Sequence, residues 1–396
     1  MVQRQAAGQD KVGVIMTLLF LIALFFCLYT YVIFPLLLHW RARRVPLVDK
    51  RQTRSEDNDT PEGAVSVSIV IAAHNEVRNL PNKIASLDAL DYPRERLECL
   101  FVSDGSSDGT VPLLRQACEE RPRWHLHHYA TAAGKPTALN LGVANASGDV
   151  IVFMDARQSV APSAIRALVD RLTEPDIGAV SGELVLHDDL GEEASNVGLY
   201  WRYEKWIRDN ESRLFSTTGA TGALYAIRRS DYSPLPTDTL LDDFDTPVSL
   251  LSRGKRTVLE PGAQIFDQAE ADSAREFRRK VRTLAGNFQS FARHPWLFDP
   301  RRNPVWWQFL SHKVCRLLVP YAMFLALLAS CVGDTAFLHV MLFCQLGFYG
   351  LGLLGFLGMR NKLSNVIKIF LQLNAAAVVG AWQSLHGRRA VRWKTS

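Results

Sequence analysis

Between Val12 and Leu38 the chain has no Asp, Glu, Lys or Arg, which excludes a loop or a solvated surface element. About 20 apolar residues cross a bilayer core as a helix. The run exceeds the apolar part of a signal peptide and no small-residue cleavage site follows it, so an uncleaved transmembrane anchor is expected over residues 12–40. Cysteine is scarce as well. Cys27, Cys99, Cys118, Cys315, Cys331 and Cys344 show neither paired nor metal-ligand spacing, which excludes a bridged or thiolate-metal framework and leaves reduced packing residues. No internal repeat and no low-complexity tract is apparent.

What is present divides the chain into apolar ends and a middle of ordinary composition. Arg41, Arg43, Arg44, Lys50, Arg51 and Arg54 follow the anchor; basic flanks stay in the cytoplasm, so the middle is expected there and the protein is read as integral to the inner (plasma) membrane. Leu317–Gly333 and Thr335–Met359 also lack Asp, Glu, Lys and Arg and are parted by Asp334, which predicts a helical hairpin. Ile369–Leu385 is weaker, with Gln372, Asn374 and Gln383 inside and Arg388, Arg389, Arg392 and Lys394 behind it. It reads either as a fourth span or as a helix lying in the interface. The net charge of +5 is concentrated at these flanks, which fits an anionic lipid surface rather than nucleic acid.

The stretch 41–64 is polar and aperiodic, as a linker is. Beyond it, β-branched Val65–Ala73 leads into a helical pattern with Leu80, Ile84 and Leu87 on one face. Leu97–Ser103 and Val150–Met154 are two further strands. Strands alternating with helices imply an α/β domain with a mainly parallel sheet, whose ligands bind beyond the carboxyl ends of the strands. Asn75, Asp104 and Asp155 fall at such ends. His74-Asn75-Glu76 has no glycine after the first strand, which excludes a dinucleotide-binding turn.

Val67 to Glu76 together with Phe101 to Thr110 resembles the opening of family 2 glycosyltransferases, inverting enzymes of the GT-A fold. The resemblance continues in order through Gly134-Lys135 with Ala138-Leu139-Asn140, then Asp155 with Arg157 where the family has Asp-x-Asp, and Asp242-Asp243-Phe244-Asp245 where it has Glu-Asp-x-Asp. It is similar to the cellulose, poly-N-acetylglucosamine and hyaluronan synthase group, except that Arg279 to Thr283 replaces Gln-x-x-Arg-Trp, with Arg282 kept and the tryptophan changed to Thr283.

The resemblance implies a nucleotide-sugar donor bound by Ala73, Asn75, Glu76 and Asp104, with Lys135, Arg157, Arg279 and Arg282 near the diphosphate. Asp155 is the expected ligand of Mg²⁺ or Mn²⁺, because a diphosphate leaving group needs its charge neutralised; Arg157 cannot ligate a cation and instead is expected to pair with the diphosphate or with a carboxylate of the site. Asp243 is the expected general base, since clustered carboxylates raise one another's pKa. Plainer readings exist: Asp104 as a turn or capping residue, Lys135 as a solvated lysine, the acid cluster as a charged helix start, Gly222 as a tight turn rather than an acceptor contact. Capping is assigned to Asp108 and lipid contact to Arg278 and Lys280.

The expected organisation is an anchor at 12–40, a linker at 41–64, a GT-A domain at 65–291, an interfacial segment at 292–313, membrane helices at 314–387 and a basic tail at 388–396. The expected acceptor is lipid-linked or a cell-envelope polysaccharide, with envelope-assembly proteins as candidate partners. A processive, exporting synthase and an inactive scaffold or nucleotide sensor are the alternatives.

Overall fold

The computed structural model describes residues 2–46, 64–187, 192–268, 273–359 and 361–386. Most of the expected linker and the whole basic tail, including Arg388, Arg389, Arg392 and Lys394, lie outside the described residues.

Eight strands form one sheet: β1 Val67–Ala73, β2 Leu97–Asp104, β3 Trp124–Tyr129, β4 Val150–Asp155, β5 Ser159–Val160, β6 Ile177–His187, β7 Leu224–Arg228 and β8 Arg256–Gln268. Their order is β3-β2-β1-β4-β7-β6-β8-β5. The β3-β2-β1-β4 half is parallel, β7 runs antiparallel to β4 and β6, and β6 is parallel to β8. Every residue of β1 is buried, as its unbroken β-branched run requires when both faces are covered. Val67, Ile69 and Ile71 pack with Leu80, Leu114 and Leu168 on one face. Val70 packs with Leu139, Val143 and Leu250 on the other. Strand order reverses at β1, between β2 and β4, so a crevice opens beyond Ala73 and Asp155.

Four helices are long and apolar enough to cross a membrane: Lys11–Ala42, Trp306–Val332, Ala336–Phe356 and Lys362–Leu385. The first includes a π-helical turn at Tyr29–Ile33, the second another at Phe309–Val314. The segment expected to be interfacial is packed and continuous with the second helix. Leu297 and Phe309 form a buried cluster with Phe244, Phe291, Leu317 and Ala377, so the helix bearing the acid cluster rests directly on the membrane-proximal region. On the N-terminal side, Phe34 and Leu38 pack against Ile207. Trp307 Nε1 donates to Tyr29 Oη at 3.1 Å, and Tyr29 Oη lies 2.7 Å from Ser311 Oγ, joining the first and second apolar helices.

Candidate active site

Asn75 follows β1 with φ +57°, the one positive-φ non-glycine among the described residues; asparagine enters that region at lower cost than most residues. The conformation turns its Oδ1 toward the next loop, where it accepts the Ser107 amide at 2.8 Å, while its own amide donates to Ser106 Oγ at 3.1 Å. Asp108 accepts the Thr110 amide at 2.9 Å and the Val77 amide at 3.3 Å, an Asx turn ahead of the helix Thr110–Glu119, whose N-cap position is held by Gly109 rather than by the expected Asp108. The Glu76 amide donates to Thr110 Oγ1 at 2.9 Å. The loops after β1 and β2 are thereby laced into one wall of the crevice.

Asp104 is fully buried. Its two oxygens accept the Ala133 and Gly134 amides at 2.6 and 2.8 Å. It thus clamps the turn that starts helix Lys135–Ala144, where Gly134 has φ +100°. That turn delivers Lys135, whose Nζ sits 3.0 Å from Asp155 Oδ1 and 3.2 Å from Asp242 Oδ1. Burial disfavours the ammonium, but the two carboxylates outweigh that and raise its pKa above the ordinary lysine value. Lys135 therefore bridges the end of β4 to the helix carrying the acid cluster, and the reading of a merely solvated lysine fails. Arg157 pairs with the buried carboxylate of Asp267, at the end of β8, which Gln158 Nε2 also reaches at 3.1 Å.

Asp243 lies in the first turn of helix Asp242–Ser252. Pro247 stands inside this helix, and a proline has no N–H to give to the carbonyl four residues back. That carbonyl is Asp243's own, and it accepts the Ala220 amide at 2.8 Å instead. The missing helical bond docks the 218–222 loop on Asp243. Gly222 completes the fit, since a Cβ there would stand 2.8 Å from Asp243 Oδ2. A tight turn alone does not explain this glycine; the close approach does. Burial, then the neighbouring Asp242, pushes the Asp243 carboxyl up to about 6, while Lys135 and Lys313 oppose the rise.

Asp243 opens on a cavity of about 620 Å³ bounded by β6, helix Glu192–Leu214 and the Phe309–Val314 turn. Thr283 lines it at the position where the resembling synthases carry tryptophan, and Tyr200 and Trp201 supply aromatic surface from another helix. Arg279 and Arg282 are both exposed, and Arg279 pairs with Glu276 at 2.6 Å. Neither shares a hydrogen bond or ion pair with Asp155, Asp242 or Asp243 among the described residues. Sequence reasoning missed Arg208, His312 and Lys313, which line the cavity. The one available signal was the polar His312-Lys313 pair just ahead of an apolar run.

The description of glycosyl transferase family 2 matches residues 68–234. The chain carries a family 2 glycosyltransferase domain. It is 26% identical over 230 residues to the probable glycosyltransferase YdaM of Bacillus subtilis, covering 56% of this chain and 55% of that protein. It is 24% identical over 272 residues to the poly-β-1,6-N-acetyl-D-glucosamine synthase of Staphylococcus aureus, covering 65% and 64% respectively. The chain thus spans between half and two thirds of the length of these relatives. Its fold resembles that of the mannosyltransferase PcManGT of Pyrobaculum calidifontis, solved in complex with GDP-Man and Mn²⁺, with a TM-score of 0.72, 22% identity and coverage of 93% of this chain and 99% of that one. The sheet is therefore of the GT-A type, and the chain adds to it four helices long and apolar enough to cross a membrane.

Proposed function

We propose that this family 2 protein is an inverting, membrane-bound transferase that moves a sugar from a nucleotide-sugar donor to a lipid-linked or polysaccharide acceptor on the cytoplasmic face of the inner membrane. One observation carries the reading. Asp243 stands where the strand-end crevice, through Asp155, Lys135 and Asp242, meets a cavity walled partly by an apolar, membrane-length helix.

In this reading the nucleotide lies against Ala73, Asn75 and Glu76, and Asp104 shapes that pocket by holding the 133–134 turn. Lys135 keeps Asp155 and Asp242 close without mutual repulsion. Asp243 accepts the proton of the acceptor hydroxyl as the oxygen forms its bond to the anomeric carbon and the nucleoside diphosphate departs from the opposite face. Its raised pKa suits a base working near neutrality. Arg279 and Arg282 reach the diphosphate only by bending inward from an exposed helix face.

A divalent cation fits this arrangement. Asp155 is partly exposed, and Asp242 Oδ2 is buried without a hydrogen-bond partner. No group of three or more His, Cys, Asp or Glu among the described residues is placed to hold an ion, so substrate phosphates and water would complete the coordination, as is usual for Mg²⁺. Asp155 would hold it, and the ion would neutralise charge on the diphosphate.

Nucleotide release from UDP-, GDP- and dTDP-sugars by the detergent-purified chain, with native membrane lipid as acceptor, tests the reading. Turnover by the wild type, lost in Asp243→Asn while donor binding persists, is the expected result. Intact donors in both proteins overturn it in favour of a scaffold or nucleotide sensor within an envelope-assembly complex. Product length separates single transfer from processive synthesis.

A further inference from the structure

The cavity beside Asp243 is lined by charges of both signs. Glu183 pairs with Lys205, Glu204 with Arg316 and, at 3.2 Å, with His312, and Glu211 lies 2.8 Å from His312 Nδ1. Two cations on the same wall have no carboxylate at ion-pair distance among the described residues, although Glu211 and Glu204 favour the charge of both and Asp243 that of Arg208. Arg208 donates only to neutral oxygens, at 3.1 Å to Thr221 Oγ1 and at 3.3 Å to Ser181 Oγ and Gly219 O. Lys313 lines the cavity, and its ammonium has no hydrogen-bond or ion-pair partner among the described residues.

An ammonium that lines a cavity without an acceptor of its own has three donors to offer a ligand, and cations that face a shared cavity focus anions into it. Lys313 belongs to the helix Trp306–Val332, in the π-helical turn Phe309–Val314; such turns recur at functional sites because the inserted residue re-aims its neighbours. The cation therefore meets the cavity from a membrane-length helix, while Asp243 meets it from the catalytic domain. Arg208 lines the same cavity and holds the 219–221 loop.

We propose that Lys313, with Arg208, forms an anion subsite for the phosphate ester of a lipid-carried acceptor. The phosphate pairs with the Lys313 ammonium, the lipid chain runs along the apolar helices, and the acceptor hydroxyl extends to Asp243. This deepens the transferase reading and rests on it for the identity of the ligand as acceptor. The phosphate site itself is measurable without turnover.

The test uses the full chain in neutral maltoside detergent, with thermal melting as the readout and three probes: an alkyl phosphate, the alcohol of the same chain length, and inorganic phosphate. Alkyl phosphate is expected to raise the melting temperature of the wild type at concentrations at least about tenfold below those needed for either of the others. Lys313→Met is expected to lose that advantage and Lys313→Arg to keep it, while nucleotide-sugar binding shows that each variant is folded. Equal stabilisation of wild type and Lys313→Met, equal effect of the alcohol, or no stabilisation at all overturns the proposal. An equal effect of inorganic phosphate overturns the lipid source and leaves a free-phosphate site. In the transfer assay, the ratio of KM values for a phosphate-linked acceptor and its neutral analogue is expected to approach one in Lys313→Met. Absence of any donor turnover counts against the transferase reading, and the melting experiment is unaffected by it.

Discussion

The α-carbon of Gly222 faces the Asp243 carboxylate so closely that a single methyl group would lie 2.8 Å from Oδ2. Gly222→Ala is therefore expected to displace the carboxylate while leaving the fold intact. A misplacement of about 1 Å costs on the order of a hundredfold in rate. Steady-state kinetics would show kcat reduced with donor affinity retained; an unchanged kcat would mean that Asp243 is not the base.

Asp243 also sets a pH dependence. With its carboxyl pushed up to about 6 by burial and Asp242, the rate is expected to climb as pH passes through about 6. Asp243→Asn is expected to lose about 10²–10⁴-fold in kcat together with that limb. The stability sign is opposite to that of a salt-bridged acid. A carboxyl whose folded pKa is raised favours the fold at low pH, and that contribution is lost as pH rises from the ordinary carboxyl value through about 6. Asp243→Asn should thus melt higher than wild type near about pH 8 and show no such gain in acid.

Lys135 lowers the Asp243 pKa and holds two further carboxylates. In Lys135→Met the limb near pH 6 is expected to move to higher pH, and kcat to fall by about 10²–10³-fold as the charge is lost from the site. A pH–rate profile that keeps its midpoint would remove Lys135 from the electrostatics of the base.

Pro247 frees the Asp243 carbonyl for the Ala220 amide. Pro247→Ala restores a helical N–H that competes for this carbonyl. The expected outcome is a helix as stable as before or more so, with faster amide exchange at Ala220 and reduced turnover. Unchanged exchange at Ala220 would show that proline has no part in docking the loop.

Lys83 is fully buried, its amine has no hydrogen-bond partner, and burial pushes it down to about 8. The folded protein then binds fewer protons than the unfolded chain between about pH 8 and the ordinary lysine value, so stability rises with pH across that window. Lys83→Met is expected to melt higher than wild type at neutral pH and to lose the slope. The same slope in the variant would assign it to another group.

Much of the catalytic domain was legible because its physics is local. The unbroken apolar runs of β1, β2 and β4 announce strands buried on both faces, and the polar residues that close them mark the ligand end of a parallel sheet. β3 was missed because Trp124–Tyr129 holds three histidines and no alternating apolar face; it is a half-exposed edge strand. β8 was missed because Pro261 and Gly262 interrupt it, and proline and glycine ordinarily signal a break. The apolar helices were legible from length and lack of charge alone, although the second begins near Trp306 rather than Leu317.

By itself the sequence determined the strands β1, β2 and β4, the apolar ends, the strand-end acids and Asp243 as a candidate base, all properties of contiguous residues. Only the tertiary structure decided that Asp104 is occupied by two amides, that Lys135 lies between Asp155 and Asp242, and that Arg157 pairs with Asp267. It also decided that Lys313, 70 residues beyond Asp243 in the chain, shares a cavity with it. Side chains of this kind are polar, so no hydrophobic periodicity records them; their partners are set by which helices pack together, and that packing is fixed by apolar contacts elsewhere in the molecule.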